Sequence, residues 1–543
     1  MQMVPWWRGA VIYQVYPRSL MDSNGDGIGD LPGIIGKLDY IQSLNVDAIW
    51  ISPFFKSPMK DFGYDISDYR DIDPIFGTLD DFDHLIDQAH KRGIKVIIDQ
   101  VLSHTSDQHQ WFQQSRESKT NEKSDWYVWA DARDDGTPPN NWLSIFGGSA
   151  WQWEPRRCQY YLHNFLKSQP DLNFHNPEVC HAILEEVEFW LKRGVDGLRL
   201  DAINFCFHDK QLRNNPFKPP HERKGRGFRE DNPYAFQRHI HDNTQPENLD
   251  FIQRLRALMD RYPDSVTLGE IQSEDSLKTM ADYTSGNTRL HMTYSFELLV
   301  DELSTNHIRT TVETLEAGLA GAWPCWSISN HDVVRVMSRW GGEQPEPDLA
   351  KVLNALVLSL RGSVCTYQGE ELGLTEAEIL PDQLRDPYGI AFWPMFKGRD
   401  GCRTPMPWQY ASPNGGFSAA NETWLPLPEA HLPAAVDIQD ADADSVLNAY
   451  RRFVQWRGQQ ATLRLGDIHF VDAPQDCLIF IREYEGDRML VCINLSGNSQ
   501  KVELNGMSLA EISEGHGFAP VVVDTNGTSV IIRRYGVCFG VLN

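Results

Sequence analysis

The sequence predicts an α/β fold: a (β/α)8 TIM barrel with a subdomain inserted after the third strand and a C-terminal antiparallel β-domain. Three observations predict it. Eight short β-branched or aromatic runs are each followed by a longer helical pattern, the alternation of a barrel of parallel strands. The third and fourth runs start about 100 residues apart, where a strand–helix unit needs roughly 30. Beyond about residue 461 the texture changes to short strands separated by turns.

The eight runs are VIYQVYP (11–17), DAIWISP (47–53), KVIIDQV (95–101), GLRLDAI (197–203), VTLGEIQ (266–272), LHMTYSF (290–296), PCWSISN (324–330) and SVCTYQG (363–369). Several are almost wholly apolar, as parallel strands covered on both faces must be. Between them lie amphipathic stretches such as 79–93 and 178–194, both ending in basic residues and then Gly, a helix stop. The expected organisation is a barrel over 1–103 and 175–460, an inserted domain over 104–174 and a β-domain over 461–543. Two further long connections, near 204–250 and 374–440, carry charges, Pro and Gly. In the last domain, Asn526-Gly527 is a hairpin signal. No internal repeat is visible.

Composition narrows the function. At 41% hydrophobic and 23% charged, the 543 residues cannot be a disordered or collagen-like chain. Lys plus Arg is 50 and Asp plus Glu 75, so the net charge is 50 − 75 = −25. Such a chain is a poor binder of phosphate backbones and is repelled by anionic membranes; the expected partner is neutral or cationic, with no nucleic acid and no membrane. No run approaches the roughly 18 apolar residues of a membrane span. The start, MQMVPWWRGAVIYQVYPRSL, does not read as a signal peptide. The nine cysteines include no C-x-x-C pair and read as reduced thiols of a cytoplasmic protein. The 17 Trp are mainly core material, with platforms for sugar faces as the sharper alternative.

In such a barrel, chemistry sits at the C-terminal ends of the strands. Those ends carry Asp99 and His104, Arg199 and Asp201, Glu270, and His331 with Asp332. Each alone could be a helix cap or a salt-bridge partner; three carboxylates and two histidines at successive strand ends form a set. The chain shows no Cys/His metal cluster at the strand ends, no G-x-x-x-x-G-K-[ST] loop and no G-x-S-x-G elbow. Carboxylates without those partners suit glycoside cleavage, where one acid protonates the leaving oxygen and a carboxylate attacks or stabilises the oxocarbenium-like centre.

DQVLSH (99–104), GLRLDAINF (197–205), GEI (269–271) and SNHD (329–332) resemble the four signature regions of glycoside hydrolase family 13, the α-amylase family. QPDLN (169–173) and YQGEELG (367–373) resemble its auxiliary regions. The likeness covers essentially the whole chain. It implies Asp201 as nucleophile, Glu270 as general acid/base and Asp332 as transition-state stabiliser. It implies that Arg199 holds Asp201 ionised, and that His104 and His331 bind sugar hydroxyls. Asp61 and Tyr64, in DFGYDISDY, resemble a pair that grips the terminal glucose, Arg399 an arginine that closes the pocket on such an aspartate, and Phe296 an aromatic wall. Phe165 is expected in the same pocket. Bland alternatives stand beside these roles: a satisfied core histidine for His104, a surface ion pair for Arg399.

DFGYD, FGGSAW (146–151) and RTPMPW resemble the oligosaccharide-cleaving α-glucosidases of that family rather than its endo-acting amylases. The implied activity is exo-acting and retaining: release of α-glucose from short α-1,4-linked oligosaccharides such as maltose, with transglucosylation as an accompaniment. Ala202 stands where relatives preferring α-1,6 bonds carry Val, which implies α-1,4 preference. The alternatives are a trehalose synthase-like glucosyltransferase or isomerase, a sucrose hydrolase, and a non-catalytic binding or transporter-associated subunit. Monomer and dimer are both open.

Ser103 departs from the family pattern, standing where α-amylases place a calcium-binding Asn. A different ion site is expected in residues 22–30, where Asp22, Asn24, Asp26 and Asp30 set side-chain oxygens at alternate positions with Gly for tight turns. The resemblance adds the Ile28 carbonyl. Ca2+ or Mg2+ fits that oxygen set, in a structural role; the alternative is a solvated Asp/Gly turn. No organic cofactor is expected.

Overall fold

The computed structural model describes residues 4–223, 228, 231–319 and 321–543. Eight parallel strands close into a barrel, numbered here in chain order: β1 (Val11–Val15), β2 (Ala48–Ile51), β3 (Lys95–Val101), β4 (Gly197–Asp201), β5 (Val266–Ile271), β6 (Met292–Ser295), β7 (Trp323–Trp326) and β8 (Ser363–Tyr367). Neighbours in the ring follow chain order, and β1 pairs with both β2 and β8, so no strand edge is left open.

Side chains alternate between the two faces of a strand, and this alternation builds the site. Ile12, Trp50, Ile97, Leu268, Met292 and Cys365 form a buried cluster inside the barrel. The intervening Val11, Ile49, Ile98, Leu198 and Leu200 join the larger core beneath the helices. Burying each such side chain contributes about 1.5–3 kcal/mol. On β4 the inner face carries Arg199 and Asp201, two residues apart, and on β5 the same alternation turns Glu270 inward.

The helices cover the outside. Leu79–Lys91 starts at Thr78, whose hydroxyl accepts from the Asp81 amide while Asp81 accepts from the Thr78 amide. It buries Phe82, Leu85, Ile86 and Ala89 and ends before Gly93, whose φ of +74° suits Gly alone. β7 stops at Trp326, four residues before the end of the expected run. There the Asn330 side chain accepts from the Asp332 amide at 2.9 Å, a local turn that competes with the ladder. His331 and Asp332 therefore stand on a loop above the strand.

Between β3 and β4 lies a three-stranded sheet of Trp129–Ala130, Gln159–Leu162 and Trp151–Glu154, packed on Trp142, Ala150 and Val128. Bridges His104↔Asp171 and Tyr127↔Leu172 brace it internally, and the Leu172 amide donates to the Ser103 carbonyl, just past the end of β3, at 3.0 Å. After helix Val446–Gly458 come a five-stranded and a three-stranded antiparallel sheet. On Cys477–Tyr484, Ile479 and Ile481 face the second sheet while Leu478 and Phe480 join the main core. The Asn526-Gly527 hairpin forms, but the Val523↔Val530 pair closes it through a longer connection than two residues. Strand Leu509–Ile512 pairs antiparallel with Val537–Leu542. Among the described residues no helix is long and apolar enough to cross a membrane.

Candidate active site

The C-terminal ends of the strands open into a cavity of about 630 Å3, open mouth included. Asp61, Tyr64, His104, Phe165, Asp201, Ala202, Glu270, Phe296, Asp332 and Arg399 all line it. Arg199 and His331 do not: both are wholly buried beneath it, because neighbouring groups take up their polar atoms.

Arg199 is the hub of the floor. One terminal nitrogen, Nη1, lies 2.6 Å from Asp201 Oδ1 and 2.9 Å from Asp99 Oδ1. The other, Nη2, lies 2.6 Å from Glu270 Oε1 and 2.9 Å from the Tyr294 hydroxyl. Its guanidinium rests 4.8 Å from the Trp50 ring. Tyr294 donates to Glu270 Oε1 at 3.0 Å, and the Ala202 amide donates to Glu270 Oε2 at 3.2 Å. Ala202 itself is left-handed, with φ 41° and ψ 44°. Two catalytic candidates on neighbouring strands thus share one cation.

The charge is divided three ways, and burial outweighs it. Burial pushes the Asp201 carboxyl up to about 7 against the pull of Arg199. Burial does the same to Glu270, also to about 7, with the charges of Asp201 and Asp332 adding to the rise. Asp332 moves the other way. Burial opposes its ionisation, but Arg399 and Arg403 overcome it and hold the carboxyl below the usual range; their nitrogens lie 3.1 and 2.9 Å from Oδ1. His331 Nε2 lies 3.3 Å from Asp332 Oδ2, but burial pushes the pKa of the ring down to about 3. The ring is therefore neutral near pH 7, and the arginines supply the charge.

His331 is fixed at both nitrogens. Gln14 Nε2 donates to Nδ1 at 2.7 Å, which leaves the proton on Nε2, 2.7 Å from the Tyr64 hydroxyl. Tyr64 in turn donates to Asp99 at 3.0 Å. Its ring stacks on His331 at 5.4 Å, nearly parallel. His104, pushed down to about 4 by burial, has Nε2 3.0 Å from the Tyr64 carbonyl. Ser103 lies 3.0 Å from its Nδ1; the hydroxyl orients the histidine where the family pattern has a cation ligand.

Arg399 closes the far end. Its Nη2 lies 2.8 Å from Asp61 and 2.7 Å from Asp386. Asp61 also accepts from Gln169 Nε2 at 3.0 Å. Phe62 and Gly63, between Asp61 and Tyr64, both have positive φ; a Cβ at Gly63 would meet the Pro53 carbonyl oxygen at 2.8 Å. The remaining walls are mainly aromatic, from Phe146, Phe165, Phe296 and Tyr388, with Ile145 and Gln272 beside them.

Sequence reasoning passed over several of these residues. Gln169 and Arg403 lay inside motifs already noted, QPDLN and RTPMPW. Gln14, Asp386 and Tyr388 carried no signal: each is one polar residue in a strand or long connection, brought to the site only by the fold.

In residues 22–30 the side-chain oxygens follow the expected alternation. Asp22 Oδ1 accepts from the amides of Asn24 and Gly25, and Oδ2 from Gly27 and the Ser418 hydroxyl. Asn24 accepts from the Asp26 amide, Asp26 from the Ile28 amide, and Asp30 from Ser23 and Gly33. The donor set is oxygen throughout, the chemistry a hard divalent cation prefers, although these oxygens accept from backbone amides and, among the described residues, no three His, Cys, Asp or Glu side chains are grouped as a metal centre. The run also clips a distant segment: Asp22 donates its amide to Phe417 and Gly27 accepts from Trp424. Trp424 lies 5.5 Å from Phe62, beside Asp61.

The α-amylase catalytic-domain model matches residues 14–466. A "Probable alpha-glucosidase" of Rhizobium meliloti (strain 1021) is 54% identical over 96% of this chain and 94% of its own. An "Oligo-1,6-glucosidase" of Heyndrickxia coagulans is 37% identical over 92% and 93%. The crystal structure of an α-glucosyl transfer enzyme, XgtA, superposes with a TM-score of 0.97 at 61% identity, covering 100% of both chains. With a barrel, a carboxylate cluster and relatives of this kind, the chain belongs to glycoside hydrolase family 13, the α-amylase family, in its α-glucosidase subgroup, and acts on glucosides as a glucosidase or glucosyl transferase.

Proposed function

We propose that the protein is an exo-acting, retaining α-glucosidase that releases α-glucose from the non-reducing end of short, neutral α-1,4-linked oligosaccharides. The observation that carries this reading is the Asp61–Arg399 ion pair at 2.8 Å, which closes the cavity beside Asp332. A cavity ending in a buried ion pair admits a terminal glucose and stops a continuing chain. Asp201 attacks the anomeric carbon while Glu270 protonates the glycosidic oxygen. Asp332, held ionised by the arginines beside it, stabilises the positive charge that develops. Glu270, then a carboxylate, draws a proton from the incoming water as the glucosyl–Asp201 bond breaks. Arg199 spans Asp201 and Glu270, which supports the spacing of about 5–5.5 Å of a retaining pair over the roughly 6.5–9.5 Å of an inverting one.

Asp22, Asn24, Asp26, Asp30 and the Ile28 carbonyl would hold a Ca2+ or Mg2+ ion, whose contribution is structural, outside the reacting centre. The nine free cysteines support a reducing, cytoplasmic setting.

A second reading, glucosyl transfer, is favoured by the apolar cluster of Ile145, Ala202 and Phe205, with Phe146 and Phe165 packed on it. It walls the side where the leaving sugar departs and disfavours water there relative to an acceptor. One experiment tests both readings: incubation with maltose, isomaltose, sucrose and maltotetraose, with products and anomers identified. Single α-glucose units from maltose and maltotetraose support hydrolysis, longer products support transfer, and first-formed β-glucose overturns the retaining mechanism.

A further inference from the structure

Asn232 touches none of the catalytic groups, yet it joins the connections that roof the cavity. It is buried, at 2% exposure, in the long connection between β4 and β5. Its Nδ2 donates to the Ile145 carbonyl at 2.8 Å and to the Tyr388 hydroxyl at 2.9 Å. Its Oδ1 accepts from the Tyr234 amide at 3.0 Å, capping the turn Pro233–Phe236. One amide therefore uses both donor hydrogens on two segments that meet nowhere else in sequence: the tip of the insertion and the helix Pro387–Phe392.

Those segments are also in direct contact. The Phe146 and Tyr388 rings lie 5.1 Å apart. A Cβ on Gly147 would stand 3.0 Å from the Phe392 ring, and its φ of +97° favours Gly, so the tip lies close against the helix. Ile145, Phe146 and Tyr388 all line the cavity. The helix is anchored below by Asp386, which accepts from the Tyr388 amide at 3.2 Å and pairs with Arg399.

We infer that Asn232 is a positioning residue for the leaving-sugar side of the cavity: its two donated hydrogen bonds hold the insertion tip and the 387–392 helix together as one wall. The inference rests on the glucosidase reading for its kinetic consequence but not for its structural one. Removing the donors frees both segments at once, weakens binding of the second sugar and leaves the carboxylate chemistry in place.

The test uses Asn232→Ala, Asn232→Asp and Tyr388→Phe in the full chain. Asn232→Asp keeps the oxygen that caps 233–236 and deletes both donors. Amide hydrogen exchange of the free protein should rise about tenfold in 144–149 and in 386–392 for both Asn232 variants, and in 386–392 alone for Tyr388→Phe. KM for maltose should rise about tenfold for the Asn232 variants, with kcat on an aryl α-glucoside within threefold. Exchange rising only in 231–236, normal behaviour of Asn232→Asp, or a loss confined to kcat would each overturn the inference. The exchange readout stands even if maltose proves not to be a substrate, so failure of the wall and failure of the glucosidase reading are distinguishable. Should both Asn232 variants fail to fold, Tyr388→Phe decides, and unchanged exchange in 386–392 overturns the proposal.

Discussion

Arg399 Nη2 lies 2.8 Å from Asp61 Oδ1 across 338 residues of chain. The same side chain lies 3.1 Å from Asp332 and 2.7 Å from Asp386. One cation therefore ties the closed end of the cavity to the cluster where the chemistry is proposed. A buried charge with this many partners is costly to remove, because each partner is left uncompensated. Arg399→Ala should destabilise the fold by about 3–5 kcal/mol, read as a fall in chemical-denaturation midpoint. Arg399→Lys keeps the charge without the planar fork and should raise KM for maltose more than it lowers the midpoint. A midpoint unchanged in Arg399→Ala would remove the ion pair from the architecture.

Glu270→Gln should separate leaving groups. An aryl glucoside needs little protonation as it leaves, and a sugar needs much. The expected loss on maltose is about 10²–10⁴-fold, the range of general acid catalysis, with a far smaller loss on aryl α-glucosides. Equal losses on both would take Glu270 out of the acid role.

The pH profile follows from the same carboxyls. In the proposed mechanism Asp201 must be ionised to attack and Glu270 protonated to donate; burial raises both to about 7. Activity is lost as pH falls, because Asp201 takes a proton, and lost as pH rises, because Glu270 gives one up. The kcat/KM profile on maltose should be a bell with its maximum near 7, its limbs belonging to the pair as a unit. Asp332, held well below the usual carboxylate range, stays ionised throughout. In Glu270→Gln, assayed on an aryl glucoside, the alkaline limb should disappear and the acid limb remain. An alkaline limb that persists would assign it to another group.

Chelation should act on stability first. The run 22–30 grips Phe417 and Trp424, and Trp424 leans on Phe62 beside Asp61. An ion bound only to the folded state stabilises by mass action, about 2.7 kcal/mol at a hundredfold excess over Kd. A chelator should lower Tm while turnover at low temperature persists, with KM drifting upward as Asp61 loosens. Calorimetry showing no binding of Ca2+ or Mg2+, with Tm unmoved, would refute the site.

Ala202 carries two demands at one position. Its Cβ lines the cavity beside Asp201, and its amide, on a left-handed backbone, donates to Glu270. The open space predicts faster cleavage of maltose than of isomaltose, by roughly 10–200-fold if a methyl-scale contact decides it. Ala202→Val should shift the ratio toward isomaltose and also lower Tm, because a β-branched side chain is strained at positive φ. Ala202→Gly should keep the maltose preference and stabilise by about 1 kcal/mol. A linkage ratio untouched by Val would show that Ala202 is not the gate.

The eight barrel strands were legible because each is a short apolar run, and apolar runs follow from burial on both faces, a local property of the chain. Asp201 and Glu270 were legible because they lie in the last residues of such runs and Asp332 because it follows one in SNHD, and strand alternation alone turns Arg199 and Asp201 to the same side. The sequence by itself thus determined the ring, the order of its strands and the acidic residues at its mouth. It did not determine that Arg199 divides its charge among Asp99, Asp201 and Glu270, so that burial prevails and raises the carboxyls of Asp201 and Glu270. Nor did it show Gln14 holding His331, Asp386 holding Arg399, or Asn232 joining Ile145 to Tyr388. Each of these is a single polar residue with no periodicity. Its partner is set by where the barrel closes and by which connections meet over the mouth, and only the tertiary structure brings such distant groups within hydrogen-bond reach.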